Sequence, residues 1–258
     1  MMIRFFAIAL AVSSLFAQTG LEAVSIRPGD GSKPGGPIHG GPGSSDPGLV
    51  TMRNIDLFSL VAMAYGLHRY QLSAPDWLNS ARFDISARVP QGIDVDQYRR
   101  LLQSMLAERY HLAIHHESRE MRIYDLTVAK NGPKMKPATH QSASADGLQP
   151  PQPHATPPVP GYHGAVFLNI PALSMPRLAE YLSGFLDAPI NDATGLQGDY
   201  EIRLRTAFGG TSSEPTGDAA SLSLFDALPE QLGLRLVSRK DQVDVVVVDR
   251  MDKSPTEN

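Results

Sequence analysis

An α+β fold built from a duplicated small β-α-β-α-β module, with helices packed on one face of each sheet, is what this sequence predicts. Three observations point to it. Segments that alternate apolar and polar residues are interleaved with segments of helical spacing. Five such elements run in the same order on either side of a Pro-rich stretch, the mark of an internal repeat. The halves also share local detail: Phe83-Asp84-Ile85-Ser86-Ala87-Arg88 and Tyr200-Glu201-Ile202-Arg203-Leu204-Arg205 alternate in the same sense. Neither helix nor sheet can leave its apolar side in water, so each module must close one on the other.

Leu21-Glu22-Ala23-Val24-Ser25-Ile26 reads as a short strand stopped by Arg27-Pro28-Gly29. Gly29 to Gly48 is loop chemistry, and it contains neither the P-loop nor the dinucleotide fingerprint that would make a glycine-rich loop a phosphate cradle. A strand begins at Leu49-Val50-Thr51-Met52 and runs through Asn54-Ile55. Leu57, Leu60, Val61 and Ala64 then form one helical face, ended by Gly66. Phe83, Ile85, Ala87 and Val89 line one face of the next strand, which Pro90 and Gly92 stop. Asp94 and Gln97 have capping-box spacing ahead of a helix whose buried stripe is Tyr98, Leu101, Leu102, Met105 and Leu106. A strand from Met121 to Ala129 closes the first half.

Between Pro137 and Gly161 seven of 25 residues are proline, too few apolar groups remain to offset ordering entropy, and the segment reads as a linker. The expected organisation is a leader at 1–17, a first module at 18–136, the linker at 137–161 and a second module at 162–258. In the second module Val166–Ile170 answers Thr51–Ile55, and Leu178, Tyr181, Leu182 and Phe185 form the helix after a Ser174 cap, with Gly184 in the place of Gly66. Leu224, Phe225, Leu228, Leu232 and Leu234 parallel Leu101 through Leu112, and Val243–Val248 reads as a central strand. Pro229 falls inside that last helix, so a late start capped by Asp226, or a kink, is expected.

Composition narrows the function. The 258 residues can build a core without staples, and the absence of cysteine removes thiol catalysis, thiolate metal sites, disulfides and a lipidated N-terminal cysteine. A net charge of −4 gives no basic surplus for nucleic acid. Arg4, the apolar run Phe5–Val12 and Phe16-Ala17-Gln18 have the order of a secretory leader cut after Ala17, which leaves −5 on the remaining chain. No later segment is long and apolar enough for a stable membrane span after cleavage, so a periplasmic or secreted location is expected.

The densest polar cluster is His111, His115, His116 and Glu117. Histidines four apart on a helix can share a metal, but Leu112 and Ile114 already read as the exit into a strand, where positions 111 and 115 would stand about 13 Å apart. The order is not the H-E-x-x-H of metalloproteases, so these four are kept as candidate binding residues, with no metal, cofactor or catalytic assignment. Neither G-x-S-x-G nor S-x-x-K occurs. Trp77, the only tryptophan, reads as core, and Tyr65, Arg69 and Tyr70 near it could line a groove.

These residues also carry a resemblance. Glu22–Pro28, Ala62–Leu67, Pro75-Asp76-Trp77-Leu78 with Arg82–Ile85, Leu106–Leu112, Tyr124–Gly132 and Gln231–Leu234 together resemble a family of exported soil-bacterial proteins known as domain of unknown function 3738. The resemblance implies no activity or catalytic residue. Related domains fused to membrane-embedded metalloprotease sensors imply an extracytoplasmic sensing or docking role. Each half is also similar in element order, and in Leu228…Gln231-Leu232-Gly233-Leu234-Arg235-Leu236, to the short N-terminal modules of secretins and TonB-dependent receptors, which engage partner proteins.

The sequence therefore predicts a non-catalytic exported protein that binds an envelope protein partner or an extracellular ligand, with strand addition at a sheet edge as one mode. The alternative is an envelope hydrolase with its site between the modules, for which the His111–Glu117 cluster speaks. A structural spacer would need a repeat array or coiled-coil heptad, and neither is present.

Overall fold

The computed structural model describes residues 21–33, 35–139, 164–208 and 222–256. The expected leader, and the Pro-rich segment from 140 on, lie outside the described residues. The fold is α+β, with four α-helices and three small sheets among the described residues. No helix among the described residues is long and apolar enough to cross a membrane.

The first sheet takes β1 (Glu22–Pro28), β2 (Ile38–Gly40), β3 (Leu49–Asp56) and, across the loop that follows the first helix, β5 (Arg82–Arg88), in the order β1-β5-β3-β2. Alternation puts Val50, Met52, Phe83, Ile85 and Ala87 on one face, all nearly sealed from solvent. Helix α1 (Leu57–Tyr65) and helix α2 (Val95–Tyr110) cover that face. Asp56 starts α1 by accepting the Ser59 amide at 2.7 Å, and Gly66 ends it in the left-handed region at φ 64°. The capping box of α2 is complete, with Gln97 N donating to Asp94 at 2.7 Å and Asp94 N donating to Gln97 Oε1 at 2.9 Å. His111, at φ 49°, turns the chain out of α2 and into a strand, as the apolar pattern beyond it implied.

A second core forms where β8 (Gly164–Ser174) and β10 (Asp199–Phe208) pair antiparallel, with β7 (Lys136–Pro137) on the far side of β10. Helix α3 (Met175–Leu186) lays Leu178, Ala179 and Leu182 on this sheet. Ser174 is extended ahead of α3 but makes no side-chain cap bond, and Pro176 sits in the first turn where its missing N–H costs nothing. Gly184 lies inside α3; the residue that plays the part of Gly66 is Asp187, left-handed at φ 49°. Helix α4 (Leu224–Ala227) is capped by Ser223 rather than Asp226, and Pro229 is accommodated because the chain widens into a single π turn over Leu228–Leu232.

The two sheets share an irregularity. In β3, Arg53 and Asn54 together oppose Asp84 of β5, and in β8, Pro171 and Ala172 together oppose Glu201 of β10. Each bulge falls just before the helix of its half. Asn54 takes φ 53° there, and its amide donates to the Asp84 carboxylate at 2.7 Å.

The third sheet joins the two cores. β6 (Ala113–Val128) and β11 (Leu234–Arg250) pair antiparallel along almost their whole length, a ribbon about 50 Å long at 3.3 Å per residue. The sequence implied shorter strands, each closing its own half. Instead β11 starts with Leu234 in the second core and finishes with Val246 and Val248, followed by Met251, in the first. β6 does the reverse, with Ile114 against the first core and Leu126 inside the second. Two short strands flank the ribbon in parallel, β4 (Leu72–Ser73) beside β11 and β9 (Ile190–Asp192) beside β6, in the order β4-β11-β6-β9.

Candidate functional site

Strand geometry disperses the histidine cluster. His115 and Glu117 share one face of β6, His116 points from the other, and His111 stands at the corner before the strand. Each histidine bonds through Nδ1 to its own aspartate from the end of the chain: His116 to Asp244 at 2.9 Å, His115 to Asp249 at 2.7 Å and His111 to Asp252 at 2.7 Å. His115 Nε2 also meets Glu117 Oε1 at 3.0 Å, and Arg119 donates to the other Glu117 oxygen at 2.7 Å. The two nitrogens of one ring face away from each other, so Glu117 and Asp249 cannot converge on one ion through it. Among the described residues no three histidine or acidic side chains gather as a metal-binding set.

These contacts have an electrostatic signature. The hydrogen bonds from Glu117 and then Asp249 hold the His115 pKa above the ordinary imidazole value, because both stabilise the cation. His115 and then Arg119 hold Glu117 below the usual carboxylate range. All these groups lie at the surface, where such pairs order the ribbon more than they stabilise it.

Concavity lies elsewhere. One cleft of about 420 Å³ opens between β2, the end of α1 and the start of α2, floored by Val50, Ala62, Met63, Leu67 and the Tyr98 ring. A second, of about 440 Å³, lies where the turn around His68–Tyr70 meets α3 and β9. His68 and Glu180 line both, so the two clefts adjoin, as a bipartite groove, where residues of the two cores meet. This is the size range of small-ligand and peptide sites. None of His111, His115, His116 or Glu117 lines it.

Local packing fixes the groove's walls. The His68 and Tyr70 rings stack at 5.3 Å with their planes 8° apart. Burial first, with Asp187 and Glu180 adding their negative charge, raises the Tyr70 pKa, while the neighbouring Ser183 hydroxyl works the other way. Ser183 itself is buried and satisfied, donating to Ala179 O at 3.0 Å and accepting from Ile190 N at 2.9 Å, which pins β9 to α3. In the first cleft the Tyr98 hydroxyl is buried without a partner, and burial pushes its pKa up. Arg99 lies against Gly66, where a Cβ would stand 3.0 Å from Cζ, and pairs with Asp96 at 3.1 Å.

Of the residues that the sequence placed near a groove, Tyr70 lines one. Arg69 instead lies over the Phe58 ring at 4.4 Å and donates to Asn79 Oδ1 at 2.9 Å. Trp77 packs against the first core, with Lys253 Nζ 5.6 Å above its ring. His68, Glu180, Asn191 and Asp192 carried no sequence signal: more than a hundred residues separate the first from the others, and no spacing rule spans that gap.

No curated protein and no solved structure matches the chain. A family model does, that of a protein of unknown function, DUF3738, over residues 58–251, which takes in the second core, the whole ribbon and the first core apart from β1, β2, β3 and Leu57. The chain belongs to that family.

Proposed function

We propose that this is an exported, non-catalytic binding or sensing protein of the cell envelope, periplasmic or secreted, which receives an envelope protein partner or an extracellular ligand in the groove between its cores. The observation that carries this reading is the groove itself, two adjoining clefts whose walls come from both halves of the chain. The leader-like N-terminus supports export. His111, His115, His116 and Glu117 each already bond a partner and line neither cleft, which supports binding in the groove over chemistry by this cluster.

We read the fold further as a duplicated β-α-β-α-β module, β3-α1-β5-α2-β6 and β8-α3-β10-α4-β11, spanning 18–136 and 162–258. The recurring bulge, the left-handed residue that ends α1 and α3, and the reciprocal placing of β6 and β11 support it. The helix–strand–helix–strand order of each half is also that of the short partner-binding modules of secretins and TonB-dependent receptors, a fold-level analogy.

A photo-crosslinking side chain at Met63 or Asn191, in the groove, should capture one and the same species in intact cells, and at Val237, exposed on the ribbon, should not. Capture that ignores position, or none at native expression, overturns the reading. One observation favours the rival hydrolase: His68, Glu180 and Asp192 share the second cleft. That rival requires turnover of an envelope polymer that His68→Ala abolishes.

A further inference from the structure

The second cleft has a one-sided chemistry. Glu180 and Asp192 line it, Asp187 acts on the same Tyr70, and no lysine or arginine of the described residues does so. Glu180 meets only Arg177 of its own helix, at 3.5 Å. Asp192 uses one oxygen, Oδ1, for the amide and hydroxyl of Thr194. The Tyr70 ring, stacked on His68, lines the same cleft, and carboxylates beside an aromatic ring are what an organic cation needs in place of water. The first cleft, adjoining it at His68 and Glu180, has an apolar floor, and its Arg99 is already matched by Asp96. Asn191 offers a side-chain amide beside the acidic wall, suited to a peptide backbone. The chain's net negative charge favours encounter with a basic partner.

Resting on the groove reading above, we propose that the groove takes an extended segment of a partner protein, with a lysine or arginine side chain in the second cleft between Glu180, Asp192 and Tyr70, and a neighbouring apolar side chain in the first.

The test uses the chain without its leader and three fluorescein-tagged octapeptides in which leucine alternates with lysine, glutamine or glutamate, read by fluorescence anisotropy. The lysine peptide should bind at least tenfold tighter than the glutamine peptide, and the glutamate peptide weakest. Glu180→Gln and Asp192→Asn should each weaken the lysine peptide roughly fivefold, the scale of a partly exposed cation contact. Glu230→Gln, which removes the same charge from the π turn, should leave it unchanged and so separates the cleft from general electrostatics. Glutamine and lysine peptides that bind alike, both insensitive to Glu180→Gln, would overturn the cation assignment while the groove stands. No binding by any of the three would overturn it too, and crosslinking from Met63 and Asn191 then decides the groove separately. All variants should keep the parent's circular dichroism and melting temperature.

Discussion

The crossed ribbon predicts that mutations in the last strand act on the helices of the first half. Val246 and Val248 are almost fully buried in the first core, the one to which α1 and α2 contribute, although they lie near the C-terminal end of the sequence. Changing both to alanine removes four buried methyl-sized groups, at about 0.8 kcal/mol each before any cavity cost, so the pair should lose about 4 kcal/mol. That is less than the roughly 5–15 kcal/mol typical of a folded domain, so the protein should remain folded and the loss should be readable by amide hydrogen exchange. At about 1.4 kcal/mol per decade, the amides of α1 (57–65) and α2 (95–110) should exchange close to a thousandfold faster, with a smaller change in α3 (175–186). The reciprocal change, Leu126→Ala, removes a fully buried side chain of the second core from a strand of the first half, should cost about 2–5 kcal/mol, and should strike α3 first. If Val246→Ala with Val248→Ala loosens α3 and spares α1 and α2, each half closes on its own strand and the crossed arrangement is wrong.

Three further changes test local claims. Gly233→Ala puts a Cβ at φ 67° and 2.1 Å from the Gly132 carbonyl oxygen, so it should cost more than about 2 kcal/mol in urea unfolding, and a neutral result would reject that turn. Asp94→Ala removes the carboxylate half of a capping box, leaving the residue-94 amide to donate to Gln97, and should cost about 1 kcal/mol, with the loss of protection confined to the first turns of α2. The His115 imidazole, followed by NMR, should titrate above its ordinary value, and Glu117→Gln or Asp249→Asn should bring it down. Because the folded-state pKa is the higher one, this contact adds stability below about pH 6.5, and the contribution disappears as pH rises through the folded value. A His115 that titrates normally in the parent protein would remove the paired arrangement.

Local order could be read from the chain because local rules set it. The caps at Asp94 and Gly66, the alternation through Phe83 and Ile85, and the turn out of helix at His111 each depend on residues within a few positions of one another. Pro229 was recognisable as a conflict, but its resolution by a π turn was not, since that depends on how Leu228 and Leu232 reach the second core. The fate of β6 and β11 was hidden for a different reason. Their central residues are mostly polar or charged and at most half-buried, so the pattern faded between the apolar ends, and those ends read as separate strands. The histidine cluster drew attention through its density alone, while strand geometry gave each ring a private partner. The groove depends on bringing His68 to Glu180, a tertiary event with no periodic trace.

The crossing of β6 and β11 also bears on timing. A ribosome delivers α1 and α2 long before Val246, Val248 and Met251, so the first core stays open at one end until β11 has been made. Its N-terminal half cannot settle early and wait. The same wiring makes the molecule sensitive to nicking: a protease that trims the chain back to Asp244 would unseat a core whose helices were made roughly 140 to 190 residues earlier, and damage at the tail would register as loss of the head.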